Sequence, residues 1–136
     1  MVILFDEFHL PENVYDIIFA TEQQAIVAKL LISEMKKNGS MMGKSEMSVF
    51  ANALHEGVTV EIRKMVGTMM KAEKTKISYN KRQFYDRILT PMKGMGMIDY
   101  DLYKKQYFIS DKFQKDMIRI GLMWNKEISR PNLSAN

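Results

Sequence analysis

The side chains best able to do chemistry with a partner lie between residues 76 and 105. They are Lys76, Tyr79, Asn80, Lys81, Arg82, Gln83, Arg87, Lys93, Lys104 and Lys105. An arginine can grip O6 and N7 of guanine bidentately, and glutamine and asparagine match the edge of adenine. Lys81 suits a phosphate near a helix start, and Lys104-Lys105 suit contact with a nucleic-acid backbone or minor groove. Tyr100, Tyr103 and Tyr107 could add hydrogen bonds to phosphates, although Tyr107 reads better as a packing residue. Asp86 runs against this chemistry. It must accept from cytosine N4, pair with Arg82, or be repelled by phosphate. The competing reading of the whole set is an ordinary solvated helix face.

These residues need a helix and a turn to hold them. Phe84, Ile88 and Met92 recur every four residues and predict a helix over 79–93 with one apolar face. Tyr79, Gln83, Asp86 and Thr90 fall opposite, flanked by Asn80, Arg82, Arg87 and Lys93. Ser78 is placed as its N-cap. Gly94 and Gly96 end it. Pro91 removes one i→i−4 bond, so the helix is expected to kink or tighten near its end. Residues 97–101 and 106–110 read as two short strands rich in aromatic and β-branched residues, turning at 102–105. Ser110 then caps a last helix.

A helix, the run GMGMI, a hairpin and a new helix cap make a pattern that resembles the winged helix-turn-helix DNA-binding domains of archaeal and bacterial transcriptional regulators. Phe84-Tyr85, Ile88-Leu89, Gly96-Met97-Ile98, Tyr107-Phe108-Ile109-Ser110 and Phe113 carry the resemblance. They are packing and turn residues, so they speak to a fold before an activity. The resemblance implies that 79–93 is the recognition helix and Lys104-Lys105 the tip of the wing.

Charge supports the same stretch. Residues 1–60 hold four lysines against eight acids, a net −4. Residues 61–136 hold 16 bases against 8 acids, a net +8, and within 62–93 nine bases face two acids, a net +7. A positive field there is the footprint expected of a phosphate-binding face.

Elsewhere the chain reads as helices. Residues 1–10 form a strand or a docked arm. Pro11 opens a short helix holding Val14, Ile17 and Ile18. The run Thr21-Glu-Gln-Gln24 is a capping box, opening a helix with Ala25, Ala28, Leu31, Ile32 and Met35 inward, either continuous with the first or separate. Asn38-Gly39 stops it, and residues 40–44 are a loop. Ser45 caps a helix with Met47, Phe50, Ala51 and Leu54 inward, ended by Gly57. Thr59 caps another to about Ala72, with Ile62, Met65, Val66 and Met69 inward, and this is the expected positioning helix, because helix 79–93 is the one followed by a wing. In a rival arrangement 45–56 and 59–72 form the reading pair, with Ala53 and Gly57 four apart. The last helix, 111–126, aligns Phe113, Met117, Ile120 and Trp124 on one stripe. That stripe either pairs with a second copy, making a homodimer, or folds back onto helix 21–38 of its own chain.

Other chemistries have little footing. His9 and His55 are the only histidines, and neither sits at a metal-ligand spacing. No cysteine, phosphate loop or nucleophile–base set is visible, so no catalytic residue, metal or cofactor is assigned and no enzyme is expected. The 13 methionines invite a copper(I) reading at Met41-Met42, Met69-Met70 and Met92, Met95 and Met97. Methionine is more often a flexible core filler. No apolar run approaches the roughly 18 residues of a membrane span, and a cytoplasmic location is expected.

The reading is therefore a mainly α fold with a small β-hairpin wing: a winged helix-turn-helix with flanking N- and C-terminal helices. One domain is expected, with an arm and helix at 1–44, the core and wing at 45–110, a C-terminal helix at 111–128 and a flexible tail at 129–136. The expected function is sequence-specific binding of double-stranded DNA in transcriptional regulation. The alternatives are a winged-helix protein–protein module in a transcription or replication assembly, or a plasmid or viral replication or partition factor.

Overall fold

The computed structural model describes residues 5–133, with backbone alone at Lys64 and Met65. Residues 1–4 of the expected arm and 134–136 of the expected tail lie outside the described residues. Phe5 to Leu10 form no helix or strand. The fold is mixed α/β, about half helical, with two small antiparallel sheets.

The first two helices are separate. Helix α1 (Val14–Ile18) begins after Asn13, not at Pro11, because the Asn13 side chain accepts the backbone N–H of Asp16 at 3.2 Å. Phe19 leaves helical geometry, and the Thr21 hydroxyl accepts the N–H of Gln24 at 3.1 Å to start helix α2 (Glu22–Lys37). The predicted α2 stripe is buried, and Val27 is buried with it. Gly39 and Ser40, both at positive φ, turn the chain into strand β1 (Met41–Gly43), where a loop was expected. Helix α3 (Lys44–Glu56) follows, capped at Gly43 and not at Ser45. It buries Met47, Ala51 and Leu54 and stops at Gly57 (φ 111°).

The helix expected over 59–72 does not form. Strands β2 (Val58–Val66) and β3 (Met69–Ile77) make a two-stranded antiparallel ribbon instead, turning at Gly67-Thr68 with Gly67 at φ 63°. The run holding Val58, Thr59, Val60, Ile62 and Val66 is β-branched, which suits a pleated strand. Its apolar residues at 58, 60 and 62 alternate, but Ile62, Met65, Val66 and Met69 also meet the helical template, an ambiguity of short apolar runs. Without a helix at 59–72, both the expected positioning helix and the rival reading pair are lost.

The next helix runs over 81–94 in three consecutive segments: α4 (Lys81–Phe84), a π-helical turn (Tyr85–Leu89) and α5 (Thr90–Gly94). Pro91 was expected to kink or tighten the helix near its end. The helix widens instead, one turn upstream, with the N–H of Thr90 reaching Tyr85 O. The proline ring crowds the carbonyl four residues back and offers no N–H. A wider turn at that point makes room for it.

Strands β4 (Ile98–Asp101) and β5 (Gln106–Ile109) form the expected hairpin. Strand β1 adds to it, so the sheet order is β1-β5-β4 with Met42 opposite Tyr107. Gly96 (φ 78°) brings the chain close to helix α6 (Lys112–Ile128): a Cβ there would lie 2.9 Å from that of Lys112. The N-cap of this helix is Asp111 and not Ser110, although the Ser110 hydroxyl accepts the N–H of Lys112 at 3.2 Å.

One hydrophobic core joins α2, α3, helix 81–94 and the foot of the ribbon. Phe84, Leu31, Met47, Leu54, Ile88 and Met92 are all but fully buried there. Each such side chain contributes about 1.5–3 kcal/mol by leaving water. Ile77, Phe84, Ile88 and Ile98 belong to it, whereas Phe108 is only partly buried. Helix α6 does not fold back onto α2. It touches the body at its first turn, where Phe113 is half-buried, and every described residue from Gln114 onward is exposed.

Candidate nucleic-acid interface

Helix 81–94 is positioned from both ends. At its start, the Asn80 side chain accepts the N–H of Gln83 at 3.1 Å, and Nδ1 of His55 accepts the N–H of Lys81 at 3.2 Å. The Ser78 hydroxyl donates to His55 O at 2.9 Å. The end of α3 is thereby tied to the first turn of helix 81–94. The N-cap is Asn80, two residues later than Ser78. His55, in the last turn of α3, thereby serves the next helix. Along its inner face Phe84 meets the rings of Phe50 and Tyr85 at centroid distances of 5.5 and 5.4 Å.

The outer face exposes Arg82, Gln83, Asp86, Arg87 and Thr90. Asp86 takes one of its expected options, lying 3.9 Å from Nε of Arg82. Both groups are solvent-exposed, so this pair is weak and either partner is easily given up.

Four of the ten candidate side chains have structural work instead. Tyr79 is buried, only 6% exposed, and its hydroxyl has no hydrogen-bond partner among the described residues. Asn80 is committed as the cap. Nζ of Lys81 lies 3.4 Å from the Ser48 hydroxyl on α3. Lys93 sits over the rings of Tyr100 and Tyr107, at 5.8 and 5.7 Å from their centroids, joining the helix end to the hairpin. Sequence spacing places a residue on a face but does not reveal a neighbouring element that claims it. Lys76, Arg82, Gln83, Arg87, Lys104 and Lys105 remain exposed.

At the tip of the β4–β5 hairpin, the Asp101 carboxylate accepts from the N–H groups of Tyr103 and Lys104 at 2.9 and 3.1 Å. Lys105 adopts φ 54°, and its carbonyl accepts from the N–H of Lys44 at 3.2 Å. The two lysines are thus presented on a turn of defined shape. Tyr107 packs on Tyr100 at 4.7 Å, and burial raises its hydroxyl pKa above the usual value, with Tyr85 and Tyr100 adding to the shift. It stays neutral and acts as a packing residue.

Behind the hairpin, Lys112 donates to Asp99 at 2.6 Å and fastens the start of α6 to β4. That hydrogen bond holds the Asp99 carboxyl below its usual pKa and Lys112 above its own. The link is therefore complete at neutral pH. It is lost only as pH falls below the ordinary carboxylate range or rises past the ordinary lysine range.

Residues 58–77 add an element that helical periodicity hid. Arg63, Lys71, Lys74 and Lys76 stand exposed along the ribbon. The readable signal was the β-branched run with Gly67-Thr68 at its turn. Met92 and Met97 of the methionine cluster are buried, which is packing. Among the described residues no His, Cys, Asp or Glu cluster could hold a metal ion, and no helix is long and apolar enough to cross a membrane.

A scan against protein-family models, a search of curated proteins and a search of solved structures each returned no match.

The unpartnered hydroxyl of Tyr79 gives a direct check on its reassignment. A buried polar group without a partner costs about 1–3 kcal/mol. Tyr79→Phe is expected to raise the free energy of unfolding by about 1 kcal/mol in urea denaturation and to leave duplex affinity unchanged. A loss of affinity with stability intact would return Tyr79 to the contact surface.

Proposed function

We propose that this chain binds double-stranded DNA through helix 81–94, as a winged helix-turn-helix protein in transcriptional regulation. The observation carrying the reading is the outer face of that helix. Arg82, Gln83 and Arg87 stand exposed on a helix whose opposite side is locked into the core through Phe84, Ile88 and Met92. A helix fits the major groove, and these side-chain types match guanine and adenine edges there. Helix α3 crosses to its start, and the β4–β5 hairpin follows its end with Lys104-Lys105 outermost. Strand β1 ties that hairpin to the segment between α2 and α3, so a wing would be braced. Binding measured over a salt series tests this. Log affinity should fall with log salt by about 0.9 per phosphate contact neutralised. Absence of binding to any duplex at low salt removes the reading in favour of a protein–protein module.

We also propose that two copies pair through α6. Met117, Ile120 and Trp124 lie on one stripe and are 46%, 54% and 65% exposed. That stripe leads away from the body, free of α2, and would bury across a two-fold axis in an isologous dimer. Because Trp124 is 65% exposed and takes no part in the core among the described residues, Trp124→Glu is expected to leave the melting curve unchanged. It should turn a dimer into a monomer by light scattering, with weaker duplex binding once two half-sites are no longer engaged together. A wild-type mass near 15.9 kDa at micromolar concentration excludes the dimer.

A further inference from the structure

The ribbon β2–β3 stands apart from the rest of the molecule in how little it buries. Val60 and Ile77 at its foot are in the core, and Val58 and Ile62 pack against it. Beyond Ile62 and Thr75 every residue with a described side chain is exposed, and the strands' substantial contacts are with each other. Beyond the register pair Ile62–Glu73, four further residues per strand, at about 3.3 Å each, carry the turn roughly 13 Å out. That reach compares with groove widths of about 12 Å and 6 Å in duplex DNA.

A free two-stranded hairpin is at best marginally stable in water. This one keeps nine paired positions although only its foot is packed. Its charge indicates what it meets. Residues 58–77 hold five bases, Arg63, Lys64, Lys71, Lys74 and Lys76, against Glu61 and Glu73, a net +3. The cross-strand register sets Glu61 opposite Lys74, which leaves Arg63 opposite Ala72 with no carboxylate across from it. At the end, Val66, Met69 and Met70 are 55%, 69% and 61% exposed. Two such arms brought together would repel, whereas a polyanion would draw them in.

Position points to the same partner. Only Ser78, Tyr79 and Asn80 separate β3 from helix 81–94. The arm therefore leaves the body at the start of the helix proposed to enter the groove. From these observations we infer that the ribbon is a second DNA-binding arm, lying along the phosphates beside the site of helix 81–94, with its apolar end against the groove wall. The inference rests on the DNA-binding reading above and adds a contact that the helix and hairpin do not supply.

The test uses the full chain and a mixed-sequence 30-base-pair duplex. The variant Arg63→Ala/Lys71→Ala/Lys74→Ala removes three exposed charges and no packing. It should melt as wild type does, and its slope of log affinity against log salt should be shallower by about 2.7. As a control for net charge, Lys29→Ala/Lys36→Ala/Lys37→Ala on α2 should leave the slope unchanged. A second variant shortens the arm, joining Ile62 to Glu73 through Asn-Gly. Those residues are register partners of the same kind as Val66 and Met69, so a two-residue turn can close them. It should reproduce the shallower slope. If wild type binds and both arm variants match it in slope and affinity, the arm inference fails while the helix reading stands. The inference also fails if the variants change the mass by light scattering but not the slope, because the arm would then join copies of the chain. It fails if removing the α2 lysines flattens the slope equally. If wild type binds no duplex even at low salt, both readings fall together.

Discussion

Phe84→Ala is expected to lower the free energy of unfolding by about 3–5 kcal/mol, the usual cost of emptying a buried phenylalanine site. Phe84 is fully buried and touches the rings of Phe50 on α3 and Tyr85 on its own helix. A domain's whole stability is about 5–15 kcal/mol, so the loss is a large share of it. Urea denaturation followed by circular dichroism measures it. The site should collapse poorly, because Ile88 and Met92 continue the same buried row along the helix. Phe84→Leu keeps most of the volume and is expected to cost less. A loss below about 1 kcal/mol for Phe84→Ala would place the residue among ordinary surface substitutions and contradict a core built on this helix.

The second large effect concerns discrimination between DNA sequences. Arg82→Ala and Gln83→Ala are each expected to cost about 1–3 kcal/mol on a preferred duplex and to relax base preference. Lys104→Ala with Lys105→Ala should instead weaken all duplexes alike and flatten the salt slope, since a turn lysine contacts phosphates and not base edges. The difference follows from placement. Arg82 and Gln83 stand in the first turn of helix 81–94, and the lysines stand at the far end of the β4–β5 hairpin. Competition binding with specific and random duplexes separates the two sets. Equal losses on all sequences from both would mean that this helix does not read bases.

Much of the scaffold was legible because a helix that packs on one side writes its period into the chain. The rows Ala25, Ala28, Leu31, Ile32, Met35 and Phe84, Ile88, Met92 are buried as their spacing predicts. Thr21 caps and Gly57 stops where their backbone chemistry predicts. The β4–β5 hairpin is likewise local, set by two short aromatic strands around one turn.

What tertiary structure decided is of another kind. Strand β1 is three residues long and exists because β5 offers it an edge. Residues 58–66 suit a strand or a helix by local pattern, and pairing with 69–77 settles the choice. Tyr79, Lys81 and Lys93 look like a contact row in one dimension. They are drawn away by the core, by Ser48 and by the Tyr100–Tyr107 pair, which lie elsewhere in sequence. Helix α6 shows the limit most plainly. Its apolar stripe was readable from spacing, yet spacing could not say whether α2 would cover it, because periodicity records that a face is apolar and only the packed chain determines what lies against it.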